Sequence, residues 1–259
     1  MRSHMEDALL TKMRAGRGIL VGYLPLGDPA MGDLVSRAGS FLEAGVDVLE
    51  LGVPCERPVL DGAVVRGSME RALERTSAEG ALASVARLAS AYPGSCLQVM
   101  TYFEVIARMG VERFAGACAQ SGVGGVLSPD APSGEVPALD AALKCRGVLS
   151  LRFAPYRLGD EDARRLAREA RGYVFLQSVD GKTGPQRGVS PRVRENVRRL
   201  RDAGIAAPVC AGFGVSSPEQ VAELSAMGAD GVIVGSSIIE SVLAGRSTEY
   251  IRSLRRALG

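Results

Sequence analysis

The chain has 259 residues, a formal charge of +2, 46% apolar and 5% aromatic residues, which suits one large core of α/β-barrel size. Near-balanced charge without basic runs among aromatics excludes a nucleic-acid groove. No apolar run nears the roughly 20 residues of a bilayer span and the start lacks a secretory pattern, so a soluble, cytoplasmic protein acting on small molecules is expected. Cys55, Cys96, Cys118, Cys145 and Cys210 are widely spaced without a C-x-x-C pair. They fit reduced thiols better than a disulfide framework or a zinc site.

In chain order, Met1-Arg2-Ser3-His4 reads as a cloning remnant ahead of Met5. That would leave the sole histidine, His4, outside any chemistry and hand the work to carboxylates, hydroxyls and backbone dipoles. Eight short apolar runs then read as strands: Ile19–Leu26, Val46–Val53, Cys96–Tyr102, Gly125–Ser128, Val148–Ala154, Tyr173–Val179, Pro208–Phe213 and Val232–Gly235. Between them, segments such as Asp33–Ala44, Ala81–Ala91, Val111–Ser121, Asp160–Arg171, Pro191–Ala203 and Pro218–Met227 repeat apolar residues at helical spacing. Arg192–Arg201 and Arg252–Arg256 read as solvated helix faces. Near-continuous Val/Ile/Leu strands imply cover on both sides. Gly45, Gly122 and Gly228 recur where a helix should end and a strand begin. The reading is a single α/β domain over 1–259, a (β/α)8 TIM barrel with parallel strands and an extra N-terminal helix. An open doubly wound sheet is the alternative, but Gly27-Asp28-Pro29 does not supply its Gly-rich first turn.

In a barrel the chemistry sits at the carboxyl ends of the strands. There, Val46-Asp47-Val48-Leu49-Glu50-Leu51-Gly52-Val53 buries a carboxylate in an apolar strand. Ionising Glu50 there is costly unless it is paired or faces a polar cavity, so it is the leading acid/base candidate, a structural ion pair being the alternative. Asp61 follows as a proton or hydrogen-bond acceptor for substrate, or else as a helix N-cap. Asp130, before Ala131-Pro132-Ser133, reads as an Asx-turn residue. Glycines at Asp180–Gly184, Ala211–Val215 and Val234–Ser237 suggest a phosphate cradle built from backbone N–H groups. The long connections Pro54–Asp61 and Val179–Gly188 read as lids.

Several motifs then fall in one order. Tyr23-Leu24-Pro25-Leu26-Gly27-Asp28-Pro29, Leu49-Glu50-Leu51-Gly52-Val53-Pro54, Asp61-Gly62, Pro129-Asp130-Ala131-Pro132, Thr183-Gly184, Gly212-Phe213-Gly214-Val215-Ser216 and Ala229-Asp230-Gly231-Val232-Ile233-Val234-Gly235-Ser236 together make the chain resemble the alpha subunit of tryptophan synthase over nearly its whole length. The resemblance implies a lyase of tryptophan biosynthesis that cleaves indole-3-glycerol phosphate to indole and glyceraldehyde 3-phosphate, without metal or organic cofactor, and passes indole to a separate beta subunit. It makes Glu50 the proton shuttle and Asp61 the partner of the indole N–H. By position it assigns substrate contacts to Tyr23, Met100, Tyr102, Phe153, Phe175, Thr183, Gly184, Phe213, Gly214, Gly235 and Ser236. Pro129 joins the aryl pocket.

The chain departs from the family pattern at Arg57, where a loop acid is usual, at Glu104, where an Asn is usual, and at Phe175, where a Tyr is common. Arg57 and Glu104 lie where the family meets its beta partner, so the resemblance implies a retained lyase with weakened or absent coupling, even a stand-alone indole-forming relative. A phosphosugar aldolase or isomerase acting on a modified aryl glycerol phosphate would share the cradle. It would want a Schiff-base Lys or a Glu/His pair, and Lys182 sits in a loop. An inactive allosteric partner of a beta subunit should have lost Glu50 or Asp61 first.

Overall fold

The computed structural model describes residues 3–29, 34–184 and 188–259. It opens with helix α1 (His4–Arg14), whose N-cap Ser3 accepts from Glu6 N–H and whose first residue, His4, places Nε2 2.8 Å from Gly94 O. Ser3 and His4 are thus part of the helix and its packing. Met5, Leu9 and Leu10 bury the inner face of α1, and Met5 Sδ lies 3.2 Å from where a Cβ on Gly125 would stand. The helix therefore packs against the start of the fourth strand.

The strands are β1 (Ile19–Pro25), β2 (Val48–Gly52), β3 (Cys96–Met100), β4 (Gly125–Leu127), β5 (Leu149–Ser150), β6 (Arg152–Ala154), β7 (Val174–Gln177), β8 (Val209–Gly212) and β9 (Gly231–Val234). They form one sheet in the order β5-β4-β3-β2-β1-β9-β8-β7-β6, and every pairing is parallel. The expected fifth strand is broken at Leu151 into β5 and β6. Leu151 N–H still donates to Val126 O at 2.8 Å, while β5 pairs with β4 and β6 with β7. The broken strand turns from one neighbour to the other and carries the sheet round. Eight strand positions, helices between them: this is the TIM-barrel fold expected from the sequence.

The helices that follow are α2 (Leu34–Glu43), α3 (Ala63–Leu73), α4 (Ala78–Ala91), α5 (Phe103–Met109), α6 (Val111–Gln120), α7 (Val136–Lys144), α8 (Asp160–Glu169), α9 (Arg192–Asp202), α10 (Pro218–Ala226), α11 (Ser236–Leu243) and α12 (Ser247–Leu258). The expected start of α2, Asp33, lies outside the described residues. Arg-rich α9 and α12 bury Val193, Val197 and Leu200, and Ile251, Leu254 and Leu258. That leaves Arg194, Arg198, Arg252 and Arg256 exposed on the outer face, while Arg201 and Arg255 pair with Asp230 and Asp47. Gly45, Gly122 and Gly228 have φ of +106°, +76° and +94°, the left-handed turn that ends a helix and starts the next strand. All five cysteines are free thiols, and only Cys145 is exposed. Among the described residues no helix is long and apolar enough to cross a membrane.

Registers set the site. Tyr23 of β1 stands beside Glu50 of β2, and Glu50 beside Gln98 of β3. In a parallel sheet such neighbours project to the same side, here towards the barrel interior.

Candidate active site

Every residue of β2 is buried, and Glu50 is 4% exposed. Its Oε1 accepts from Gln98 Nε2 at 2.8 Å, and Tyr173 O–H donates to Gln98 Oε1 at 2.5 Å. No cation pairs with Glu50 among the described residues, so the structural ion pair that the sequence left open is absent there. Burial pushes its carboxyl up to about 8, the nearby Asp61 charge adds to this, and the Gln98 bond opposes it.

Asp61 ends the connection from β2 to α3. Its Oδ2 accepts from Tyr102 O–H at 2.7 Å and its Oδ1 from Thr183 Oγ1 at 3.1 Å. Thr183 Oγ1 accepts in turn from Gly62 N–H at 2.8 Å, and Thr183 N–H donates to Leu60 O at 3.1 Å. The two long loops are laced together here, and a Cβ at Gly62 would stand 2.0 Å from Thr183 O. The N-cap of α3 is Gly62, without a side-chain cap bond, which removes the capping reading of Asp61. Burial raises the Asp61 carboxyl, while the bonds from Tyr102 and Thr183 pull it back. Asp130 behaves differently from the Asx turn expected: its Oδ1 accepts from Phe103 N–H at 2.8 Å and so joins the end of β4 to the start of α5.

The carboxylates open into a cavity of about 480 Å³, counting space open to solvent at its mouth. Of the residues expected to touch substrate, Tyr23, Met100, Phe175, Thr183, Phe213, Gly214, Gly235 and Ser236 line it, with Val65, Val215 and Ile233 beside them. Tyr102 stands behind Asp61 as its donor. Phe153 stands behind two lining rings, 5.5 Å from Phe175 and 6.0 Å from Phe213 between centroids. Gly184 has φ of +141° and, among the described residues, no atom near its Cβ position, and like Pro129 it is not part of the wall. The lid expected over 179–188 includes 185–187, which lie outside the described residues. Tyr23 O–H is buried without a hydrogen-bond partner among the described residues.

Phe213 adopts φ of +82°, a strained conformation for a side-chain-bearing residue. Ser178 Oγ fastens that turn by donating to Gly212 O and Phe213 O, each at 2.5 Å. Across the cavity α11 begins at N-cap Gly235, and Ile239 N–H donates to Gly235 O at 3.1 Å. Ile238 N–H also donates to Gly235 O, at 2.9 Å, so the N–H groups of Ser236 and Ser237 are the ones that this opening turn, among the described residues, leaves to an anion. Ser237 Oγ donates to Val215 O at 2.9 Å and ties α11 to the turn after β8.

This wall, apolar at Met100, Phe175 and Phe213 and donor-rich at Gly214 and Gly235, matches a known family in sequence as well as shape. The family model described as tryptophan synthase alpha chain matches residues 9–256. The chain belongs to the tryptophan synthase alpha chain family. The tryptophan synthase alpha chain of Gloeobacter violaceus is 35% identical over 247 residues, covering 92% of this chain and 88% of that protein. That of Leifsonia xyli is 36% identical over 244 residues, covering 94% and 92%. A solved structure of Mycobacterium tuberculosis tryptophan synthase superposes with a TM-score of 0.90 at 29% identity, covering 100% of this chain and 99% of that one. Tryptophan synthase alpha chains are carbon–carbon lyases of tryptophan biosynthesis that cleave indole-3-glycerol phosphate, and this chain is a lyase of that kind.

Two departures from the tryptophan synthase alpha pattern meet each other. Glu104 Oε2 accepts from Arg57 Nε at 2.8 Å, and its Oε1 accepts from Glu56 N–H and Arg57 N–H at 2.9 and 3.0 Å. Arg108 adds a 3.5 Å pair with Glu56. The charge reversal expected to face a partner is answered within the chain, and it fastens the Asp61 loop to α5. Sequence reasoning missed Gln98 and Tyr173 as companions of Glu50. The signal was a polar residue inside Cys96-Leu97-Gln98-Val99-Met100.

Proposed function

We propose that Glu50 and Asp61 carry the cleavage, with Glu50 as the single proton shuttle. The substrate phosphate rests on backbone N–H groups at Gly214, Gly235 and Ser236, and the indole lies between Met100, Phe175 and Phe213. Glu50 protonates C3 of the indole, and Asp61, holding the ring N–H, stabilises the positive charge that develops. Glu50 then takes the proton of the 3′-hydroxyl. The oxygen lone pair forms the aldehyde as the C3–C3′ bond breaks, and that bond's electron pair returns to the ring to restore aromatic indole. A carboxyl poised near neutrality can serve both steps. The observation that carries this reading is a buried Glu50, without a cation partner among the described residues, in the same cavity wall as Asp61.

The same reading extends to partner use. Tryptophan synthase alpha chains act with a beta subunit, and a cytoplasmic enzyme of this family would meet one. Here the Arg57–Glu104 clasp holds the Asp61 loop without help, which supports a lyase whose turnover depends little on that subunit. The test is indole release from indole-3-glycerol phosphate by the purified chain, alone and with a tryptophan synthase beta subunit, against Glu50→Gln. Turnover alone that vanishes in the variant and rises little with the subunit is the expected result. Slow turnover raised strongly by the subunit would contradict partner independence and leave the chemistry standing.

A further inference from the structure

Gln98 is 0% exposed on β3, and it joins Tyr173, at the entrance to β7, to Glu50 on β2. β3 and β7 are not sheet neighbours, so the Tyr173 to Gln98 link crosses the barrel interior. A glutamine amide has a donor end and an acceptor end. The phenol, 2.5 Å from Oε1, donates to the carbonyl, which turns Nε2 towards the carboxylate at 2.8 Å. A flipped amide would set carbonyl against carboxylate and give up the phenol's donation. We propose that Gln98 is a positioning residue for the cleavage reaction: locked by Tyr173, its amide pins one oxygen of Glu50 and leaves the other to exchange protons with substrate.

This rests on the shuttle role of Glu50. The relay favours the ionised carboxylate, because every bond in it points its hydrogen towards Glu50. The other titratable groups near Glu50 are Tyr23 from β1, Asp61 from the following loop, Tyr173, and Cys210 from β8. Burial holds both phenols and the thiol well above their ordinary values, so they are neutral at working pH and Asp61 is the other charge. Without the amide, nothing in this set offsets burial and the Asp61 charge.

The test uses Gln98→Met, which keeps the volume and removes the donor, and Tyr173→Phe, which keeps the donor and removes its lock. Infrared difference titration of the full chain follows the protonated carboxyl band, assigned to Glu50 by its loss in Glu50→Gln. Gln98→Met is expected to move that titration up by about one to two units. It should carry the alkaline fall of kcat up by the same amount and lower kcat at pH 7 several-fold, about three- to tenfold, because a weaker acid protonates C3 more slowly, with KM changed less than about threefold. Tyr173→Phe should move both the same way by less, and the double variant should match Gln98→Met alone. An unmoved titration in either folded variant overturns the relay. A moved titration with an unmoved rate profile overturns the shuttle reading, and the positioning role with it.

Discussion

Asp47 and Glu50 stand three residues apart, one just before β2 and one within it, in opposite surroundings. Asp47, 10% exposed in its side chain, accepts from Leu20 N–H at 2.9 Å, pairs with Arg255 at 2.9 Å and meets Lys12 Nζ at 2.7 Å. It ties α1, β1 and α12 together and is answered by two cations. Glu50, deeper along the same strand, has one neutral amide and no cation among the described residues. Neutralised carboxylates stabilise the fold at one end of the barrel. At the other end a carboxylate is left uncompensated, its proton held loosely enough to be moved, at a cost to stability.

The contrast is broken most sharply at Glu50. Glu50→Gln is expected to lower indole release about a thousandfold, by steady-state assay. The same variant should be the more stable protein at alkaline pH. The native carboxyl sits at about 8 against an ordinary 4.5, so between those values the native state binds more protons than the unfolded one and wild-type stability falls as pH rises. Denaturant melts at pH 5 and pH 9 should show the variant's advantage growing to a few kcal/mol. Asp61→Asn keeps the shape and removes the charge facing the indole, and should lower kcat about a hundredfold. Glu104→Ala frees the Glu56 and Arg57 N–H groups and should lower kcat up to about tenfold by loosening the Asp61 loop. Asp47→Ala should leave turnover per folded molecule within about twofold while costing about 3 kcal/mol in a melt, because Arg255 and Lys12 lose their shared partner.

Glu50 and Asp61 were legible in the sequence because an apolar strand exposes the expense of a carboxylate, and because the loop after it is long. The helices followed from apolar spacing, as in α9, where arginines surround a Val193, Val197 and Leu200 stripe. Gln98 carried the signal Glu50 did, but its meaning depends on register, Glu50 beside Gln98, and register between strands nearly fifty residues apart is not written in either one. The same limit hid the Arg57–Glu104 clasp: each residue was visible as a departure, and only the tertiary structure makes each the other's partner. Tyr102 was placed in the aryl wall by its position, while the fold sets it behind Asp61. The break at Leu151 left no mark either, since Leu149, Leu151 and Phe153 keep a strand's alternation through it.

The central claim is that Glu50, buried and uncompensated, moves the proton. Its most direct measurement is single-turnover release of indole from indole-3-glycerol phosphate over pH 6 to 9, wild type against Glu50→Gln, with no beta subunit present. The account predicts that wild-type turnover follows one titration near the about 8 of the Glu50 carboxyl and that the variant is flat and nearly inactive throughout. A variant that releases indole with the wild-type rate and pH profile would contradict it.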